Sequence, residues 1–118
     1  MPVAVKISPD LPKDALLVAA DVIAECGADA VIATNTTSTR DRVSGNPLSS
    51  EKGGLSGAAL RDMSTEAIRI LDGHLQKKIP IIGVGGVFSG ADAKEKIEAG
   101  ASLVEIFSSL IYRGPGIV

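Results

Sequence analysis

The chain has few aromatic residues and no strong excess of charge, and these absences exclude one class of partner. Phenylalanine, tyrosine and tryptophan make up 3% of the 118 residues, and the formal net charge is −2 at pH 7. Proteins that bind nucleic acids need basic surface to neutralise phosphates and aromatic side chains on which bases stack. We therefore predict that the chain has no nucleic-acid partner.

Disulfide, membrane-spanning and metal-binding features are also missing from the sequence. The single cysteine, Cys26, cannot form an internal disulfide, and its apolar helical surroundings favour a buried structural thiol over a nucleophile. No apolar run approaches the roughly 18 residues of a membrane span, and the first residues lack a signal-peptide pattern. No cysteine, histidine or carboxylate cluster has metal-ligand spacing. We expect a soluble chain with no bound metal, which leaves open a membrane anchor in a longer parent protein.

Apolar runs of strand length alternate with segments of helical period, which is typical of a parallel sheet covered by helices. A complete (β/α)₈ barrel takes roughly 250 residues, so we predict one segment, residues 1–118, that holds about four βα units as an α/β half-barrel. The predicted strands span residues 3–7, 30–34, 79–84 and 103–106, and helices follow at 12–26, 59–75, 90–99 and 108–112.

Two short segments, Gly83–Gly86 and Glu105–Ser108, each follow a predicted buried strand and lead into a helix. Backbone N–H groups at such positions can converge on one anion. The last two strands of a (β/α)₈ barrel form a phosphate site in this way. The sequence therefore predicts a phosphate-binding cradle. Alone, Gly85-Gly86 could equally be a tight turn.

Polar side chains follow the first two strands at the same predicted rim. Alternation along the first strand directs Lys6 into the barrel, where a lysine is costly without an anionic partner. We therefore favour a ligand role for Lys6, with a snorkelling or ion-paired structural lysine as the alternative. The tetrad Thr34–Thr37 suits recognition of a small polar substrate, although it could be an ordinary turn cap. The segment Gly53–Gly57 allows close backbone approach, with a flexible linker as the alternative.

Two charged features are interpreted as structural. His74 lies among polar residues near a helix end, and we expect it to be solvated rather than catalytic. Arg40, Asp41 and Arg42 are expected to form a solvated charged loop, with a lid that closes over substrate as the alternative.

Five ordered segments resemble the C-terminal part of the dihydroorotate dehydrogenase family, and together they cover essentially the whole chain. The Thr-Asn-Thr-Thr and Leu-Arg-Asp-x-Ser-Thr sequences are most similar to class 2, the membrane-associated branch that reduces quinones. The resemblance implies an FMN flavoprotein that oxidises dihydroorotate to orotate in pyrimidine biosynthesis. The matching segments are Val5–Leu11, Thr34–Thr37, Gly53–Gly57 with Leu60–Thr65, Pro80–Gly86 and Gly100–Val104.

The resemblance also implies roles for individual residues. Lys6 would lie beside the flavin ring, where its charge can stabilise the anionic reduced flavin. Thr34 would contact the flavin, while Asn35 and Thr36 would hydrogen-bond the pyrimidine. The family often has tyrosine at position 107, so this chain keeps only the backbone donor there. The implied ligands of the ribityl phosphate region are Ser56, Gly57, Gly85, Gly86, Phe107 and Ser108.

No general base is assigned in this chain. In the family the class 2 base is a serine on a loop in an earlier part of the barrel, and N-terminal helices form the quinone tunnel. No serine here matches that motif. Because proton abstraction and hydride transfer need both halves positioned together, we expect a fragment that is inactive alone. The parent would be associated with the mitochondrial inner membrane or the bacterial cytoplasmic membrane.

A half-barrel leaves two sheet edges unpaired and an inner face without its opposite wall. We therefore predict a homo-oligomer or pairing with a complementing N-terminal half. Two other interpretations stay open. The chain could be part of another FMN- and phosphate-binding barrel oxidoreductase, such as a related FMN pyrimidine reductase, or a non-catalytic half-barrel that serves as an assembly module.

Overall fold

The computed structural model describes residues 1–118, and its strands and α-helices alternate along the chain. All predicted elements are present, although the strands are slightly shorter than expected. Three short 3₁₀ segments, Asp41–Val43, Gly57–Leu60 and Pro115–Ile117, complete the structure. The strands are β1 (Ala4–Ile7), β2 (Ala30–Ala33), β3 (Ile81–Val84) and β4 (Leu103–Glu105); the helices are α1 (Lys13–Glu25), α2 (Arg61–Leu75), α3 (Gly90–Glu98) and α4 (Ser108–Arg113).

The strands form one parallel sheet in the order β1-β2-β3-β4. This order confirms the predicted α/β half-barrel, because each strand lies beside the next strand of the sequence with a helix between them. Only β1 and β4 have an unpaired edge. The carboxyl ends of all strands meet at one rim, which is where the predicted site residues lie.

The two faces of the sheet differ in burial. One face packs against the helices in a cluster of 14 buried residues that includes Val31, Ile81 and Ile68. The other face carries one residue of each strand in a row across the sheet, namely Lys6, Ile32, Ile82 and Leu103. Leu103 is 62% exposed, as expected for the inner face of a barrel that lacks its opposite wall.

Helix α1 begins after Pro12, which needs no N–H at this position, and Gly27, with φ +72°, follows its end. The cysteine prediction is wrong: Cys26 is exposed, because it lies past the last helical residue, outside the buried stripe of Leu16, Ala20 and Ile23. The helix-end histidine is likewise not simply solvated, since His74 Nε2 lies 2.7 Å from a carboxylate oxygen of Asp21 on α1.

Helix α2 buries only part of the stripe that its apolar spacing predicts. Three of the five predicted residues, Leu60, Ala67 and Leu71, are buried; the other two are Met63 and Ile70. Met63 and Ile70 are only half-buried, whereas Ser64, Thr65 and Ile68 are fully buried. The polar pair is turned inward because it hydrogen-bonds groups beneath it, as described below. None of the helices has the length and apolar character needed to cross a bilayer.

Helix α3 begins with the predicted side-chain cap. The Ser89 hydroxyl accepts a hydrogen bond from the backbone N–H of Asp92 at 3.2 Å. The Asp92 carboxylate in turn accepts from the backbone N–H of Phe88 at 3.0 Å, which completes a reciprocal pair of the capping-box type. Arg61 of α2 pairs with the same carboxylate at 3.0 Å. This cap therefore fixes the loop after β3 against both flanking helices.

Candidate ligand-binding site

A cavity of about 240 Å³ lies at the rim formed by the carboxyl ends of the strands. It brings together segments that are up to 100 residues apart in the sequence, and every residue nominated from the sequence lines it. Lys6 and Glu105 are the only ionisable side chains of the lining. The nominated residues in the lining are Lys6, Thr34, Asn35, Thr36, Ser56, Gly57, Gly85, Gly86, Phe107 and Ser108.

Several backbone donors at this cavity have no partner. The N–H groups of Gly57, Gly86, Phe107 and Ser108 donate to no acceptor within the chain. Gly86 is also buried, and a buried N–H group is almost always paired. Convergent N–H groups of this kind form an anion-binding concavity. The lining therefore offers donors that only a ligand or water can satisfy.

Gly86 cannot be replaced by a larger residue without movement of α2. It has φ +71°, and a Cβ atom there would lie 2.5 Å from the Cβ of Arg61. The preceding carbonyl, that of Gly85, faces the Ser64 hydroxyl at 3.3 Å. Because the N–H and C=O of a trans peptide point in opposite directions, this contact turns the Gly86 N–H away from α2.

The segments after β2 and β4 meet directly at the cavity. The hydroxyls of Ser56 and Ser108 are 2.9 Å apart, although 52 residues separate them in the sequence. Phe107 is 76% exposed, so its ring adds little to the lining and the backbone supplies its donor. The Ser56, Gly86 and Ser108 segments thus lie on one side of the molecule, as the phosphate-cradle interpretation requires.

The long loop between β2 and α2 is held in shape by Arg40, which contradicts the expectation of a solvated charged side chain. Its guanidinium donates to five carbonyl oxygens on both sides of the loop, three at residues 37–39 and two at Glu51 and Gly53. A short antiparallel bridge joins Thr37 to Leu55. These contacts position Thr36 and Ser56 at the cavity.

Close packing within the same loop depends on Gly54. A Cβ atom there would lie 1.9 Å from the Thr36 hydroxyl oxygen. The segment Gly53–Gly57 is therefore packed against Thr36 at the rim rather than free as a linker. The same loop is tied to α2, because Arg42 pairs with Asp62 at 2.7 Å.

Asp10 ties the loop after β1 to the loop after β2. Its carboxylate accepts from the Ser38 N–H at 2.8 Å, from the Ser38 hydroxyl at 2.7 Å and from the Thr37 hydroxyl. Partial burial acts to raise the pKa of Asp10, but these hydrogen bonds favour the ionised form and lower the pKa overall. The ionised carboxylate therefore holds the two loops in register.

Lys6 lies on the inner face, as alternation predicts, but it is exposed rather than buried. The burial on which that expectation rested is not observed, while the ligand role of Lys6 stays a prediction. The open inner face lets water solvate the ammonium group, and no carboxylate lies within ion-pair distance of it. Lys6 is thus a free positive charge directed at the cavity.

Lys96 is a buried lysine that the sequence analysis missed. Its side chain is 0% exposed, and its ammonium donates to the Arg61 carbonyl at 2.8 Å, to the Thr65 hydroxyl at 2.6 Å and to the Ser64 hydroxyl. Burial lowers the pKa of Lys96 to about 8, a shift that Glu95 partly offsets. Its three donors are matched by three acceptors, so Lys96 links α3 to the first turn of α2 behind Gly85.

The signal for Lys96 was present in the sequence but weak. Lys96 lies between Ala93 and Ala99 at the three-residue spacing of a buried helical face, and Ser64 with Thr65 interrupts the apolar stripe of α2. Polar residues on two buried stripes indicate a mutual contact only once the helices are known to be neighbours.

Comparison with known proteins places this chain in a family. A family model described as "Dihydroorotate dehydrogenase" matches residues 1–118. The chain is 55% identical over 118 residues to a dihydroorotate dehydrogenase (quinone) of Thiobacillus denitrificans, covering 100% of this chain and 35% of the relative. It is 56% identical over 117 residues to the protein of the same name from Nitrosomonas europaea, covering 99% of this chain and 34% of the relative.

Solved structures show the same arrangement. The ligand-free dihydroorotate dehydrogenase of Eimeria tenella matches with a TM-score of 0.91 at 42% identity, covering 97% of this chain and 32% of that chain. The structure of that enzyme in complex with ferulenol matches with a TM-score of 0.89 at 43% identity, covering 95% of this chain and 30% of that chain. The chain thus spans about a third of the length of the relatives that it matches.

Proposed function

Because the chain belongs to the dihydroorotate dehydrogenase family, in its quinone-dependent class 2 branch, we propose that residues 1–118 form the FMN-binding half-barrel of such an enzyme. The relatives are oxidoreductases by name. The whole protein would oxidise dihydroorotate to orotate and pass the electrons to a quinone. The finer proposal concerns the flavin: this chain binds FMN through its phosphate at the cavity described above.

The observation that carries the proposal is the set of unpaired backbone donors at one cavity. FMN ends in a phosphate dianion, whose oxygens only accept hydrogen bonds, and the N–H groups of Gly57, Gly86 and Ser108 are free to donate. Such charge-assisted hydrogen bonds are short and strong. The packing of Gly86 against α2 means that this donor is oriented before the ligand arrives, which lowers the cost of binding.

The remaining residues of the lining suit the other parts of the ligands. Lys6 supplies positive charge where we place the flavin ring, and Thr34 lies beside it at the end of β2. The side chains of Asn35 and Thr36 are exposed to the cavity and offer donors and acceptors for a pyrimidine. FMN supplies the hydride-accepting chemistry when it is bound. The chain's own residues bind the flavin and the pyrimidine, orient them and supply positive charge.

The site lacks a wall on one side, and the small volume of the cavity reflects this. Pockets that enclose a small ligand commonly hold roughly 300–1,000 Å³, whereas this cavity holds about 240 Å³. The inner face of the sheet is open above it. We propose that a second wall, either a complementing N-terminal half or another copy of the chain, covers the flavin ring and supplies the general base, and that this chain alone is inactive.

A titration distinguishes phosphate recognition from general affinity for flavins. Riboflavin carries the same ring and ribityl chain as FMN but lacks the phosphate, so it is the matched control ligand. We expect quenching of flavin fluorescence to show FMN binding at least about tenfold tighter than riboflavin, since a charge-assisted hydrogen bond contributes about 1.5–3 kcal/mol. Equal affinities for the two flavins would contradict a phosphate site.

Adding orotate to the FMN complex tests the substrate side. A shift of the flavin absorption spectrum that depends on orotate, and that Asn35→Ala removes, is expected if Asn35 contacts the pyrimidine. A spectrum that responds equally in wild type and Asn35→Ala would favour a related flavin barrel enzyme with a different substrate.

Self-association is proposed from the two unpaired strand edges of the sheet and its exposed inner row. Sedimentation at micromolar concentration is expected to show a dimer or larger assembly, and a well-folded monomer would contradict it. Because quinones dissolve in membranes, we propose that the complete protein acts at a membrane surface.

A further inference from the structure

Ser64 is a fully buried serine in the first turn of α2, and it contacts the loop after β3. It belongs to the segment Leu60–Thr65, whose resemblance to the family implied no role for any of its residues. A buried hydroxyl needs partners for its proton and for its lone pairs. The partners of Ser64 therefore indicate what this residue does.

The proton of the Ser64 hydroxyl has two carbonyl oxygens within reach, those of Arg61 and Gly85, each at 3.3 Å. The Arg61 carbonyl already accepts from the Thr65 hydroxyl at 3.0 Å and from the Lys96 ammonium at 2.8 Å. The Gly85 carbonyl accepts from no other group in the chain. The Ser64 proton is therefore directed to Gly85, while the Ser64 oxygen accepts from Lys96.

The peptide between Gly85 and Gly86 depends on this contact for its orientation. A glycine lies on each side of it, with φ +124° at Gly85 and φ +71° at Gly86, so no Cβ atom limits the rotation of the peptide plane. The carbonyl and the N–H of one trans peptide point in opposite directions. The hydrogen bond that holds the Gly85 carbonyl toward α2 thus holds the Gly86 N–H away from α2, as a free donor at the cavity that Gly86 lines.

No other buried hydroxyl of the chain contacts the loop after β3. The Thr65 hydroxyl accepts from Lys96 at 2.6 Å and donates within α2. The hydroxyls of Thr34 and Thr37 are bonded to groups at the ends of β1 and β2, and the hydroxyl of Ser109 is enclosed without a partner. Ser64 is therefore the one buried hydroxyl placed to orient the peptide of the cradle.

We propose that Ser64 is a positioning residue for the phosphate of FMN: its hydroxyl holds the Gly85–Gly86 peptide in the orientation that presents the Gly86 N–H to an anion. The inference rests on the proposed function, because it requires a phosphate at this rim. Ser64 itself does not touch the ligand, since its side chain is 0% exposed. It acts through the backbone, because a donor that is oriented in advance costs less to order when the anion binds.

Ser64→Ala tests the proposal, because it removes the hydrogen bond and leaves the peptide free to turn. The Gly86 N–H then points elsewhere in part of the molecules, and the apparent Kd rises as the competent fraction falls. We expect the Kd for FMN to rise about fivefold, the factor that one hydrogen bond between neutral groups contributes. The Kd for riboflavin, which has no phosphate, should stay as in wild type. Fluorescence titration measures both constants.

Thr65→Val is the matched control on the same turn of α2. Thr65 is as buried as Ser64, and its hydroxyl is likewise an acceptor for Lys96, so each variant takes one acceptor from the ammonium and should lower stability. Thr65→Val leaves the bond from Ser64 to Gly85 intact, so both of its Kd values should equal those of wild type. An FMN Kd raised equally in the two variants would assign the effect to stability and overturn the proposal.

A second comparison serves where Ser64→Ala alone fails to fold. Lys96→Met, with and without Ser64→Ala, tests the same hydroxyl in a chain that has no buried ammonium in need of an acceptor. The double variant should bind FMN about fivefold more weakly than Lys96→Met does, with the riboflavin Kd unchanged. Equal FMN Kd values in these two proteins would overturn the proposal.

The outcomes separate this inference from the function on which it rests. Wild type that prefers FMN over riboflavin, together with an unchanged FMN Kd for Ser64→Ala, would overturn the role of Ser64 and leave the phosphate site intact. A riboflavin Kd that rises as much as the FMN Kd would also overturn it, because the loss would then not concern the phosphate. Wild type with no preference for FMN would overturn both.

Discussion

Two polar regions lie on opposite sides of the loop after β3, and they differ in whether their donors have partners. Behind the loop, the Lys96 ammonium donates to the first turn of α2 through three hydrogen bonds. In front of it, the N–H groups of Gly86 and Ser108 have no acceptor in the chain. The Ser64 hydroxyl contacts both regions, since it accepts from Lys96 and faces the Gly85 carbonyl.

The difference distinguishes groups that stabilise the fold from groups that wait for a ligand. A buried donor with a partner contributes to stability, while an unpaired donor is a cost that a bound anion can remove. Substitutions behind the loop should therefore change the free energy of unfolding, and substitutions in front of it should change affinity. The loop itself belongs to both regions, so a change there should affect both properties.

The largest effect is expected for Gly86→Ala. Alanine is strained at φ +71°, and its Cβ would meet the Cβ, Cα and N of Arg61 at 2.5–2.8 Å, so we expect a loss of about 3 kcal/mol in the free energy of unfolding. FMN affinity should fall with it. Gly73→Ala is the control, because Gly73 lies inside α2 with open space around it; this variant should gain about 0.5–1 kcal/mol. Urea unfolding measures the free energy of unfolding of both variants. A Gly86→Ala variant as stable as wild type would contradict the tight packing of Gly86 against α2.

Lys96→Met should destabilise the chain by about 2 kcal/mol, because it removes three hydrogen bonds from buried acceptors. The ratio of FMN to riboflavin affinity should change little, which would separate the two regions. Lys94→Met is the matched control on the same helix: its side chain is 74% exposed and pairs only with Glu98, so we expect less than about 0.5 kcal/mol. Urea unfolding measures both variants. If they lower the free energy of unfolding equally, the buried hydrogen bonds of Lys96 do not stabilise the fold more than an exposed lysine does.

Lys6→Ala should weaken FMN binding about tenfold, or about 1.4 kcal/mol, without loss of stability. Because we place Lys6 beside the ring and not the phosphate, riboflavin binding should be weakened by a similar factor. Lys13→Ala, an exposed lysine at the start of α1, should bind as wild type does. Fluorescence titration of both flavins tests the assignment, and an unchanged Kd for Lys6→Ala would count against it.

The smallest effect, counted per pH unit, is a pH dependence of stability. The pKa of Lys96 is lowered from 10.5 to about 8 in the folded chain, so below pH 8 the cost of burying the charge is fully present. As the pH rises above 8, the folded state loses this proton before the unfolded state does. The free energy of unfolding should therefore rise by about 1 kcal/mol per pH unit relative to Lys96→Met. If the free energies of unfolding of wild type and Lys96→Met change in parallel between pH 8 and 10, Lys96 stays charged in the folded chain. That result would contradict the prediction.

Much of the fold could be predicted from the sequence because local patterns determine it. Apolar runs flanked by glycine gave strands, and the Ser89 cap with Asp92 three residues later marked the start of α3 as observed. The buried stripe of α2 was predicted only in part, since Leu60, Ala67 and Leu71 are buried as expected. Apolar spacing favoured Met63 and Ile70, but the helix is rotated so that Ser64 and Thr65 reach Lys96, a contact between residues more than 30 positions apart.

The candidate site was predictable in part for a similar reason. Glycine and hydroxyl residues just after strands indicate a rim of backbone donors, and the structure brings those residues to one cavity. The charge pattern indicated a solvated Arg40, and nothing in the sequence singled out Ser109. Whether an arginine is solvated or bonded to five carbonyls, and whether a serine hydroxyl has a partner, depends on atoms that the fold brings near from elsewhere.

The sequence by itself determined the order of the βα units, their parallel direction and the rim to which the polar segments belong, because strand and helix periods are local properties of the chain. Only the tertiary structure decided which donors are paired. The packing of α3 on α2 gives every Lys96 donor an acceptor, while the open inner face leaves Lys6 solvated and the rim donors free. Hydrogen-bond partners are chosen by distance in space, and spacing along the chain does not fix that distance.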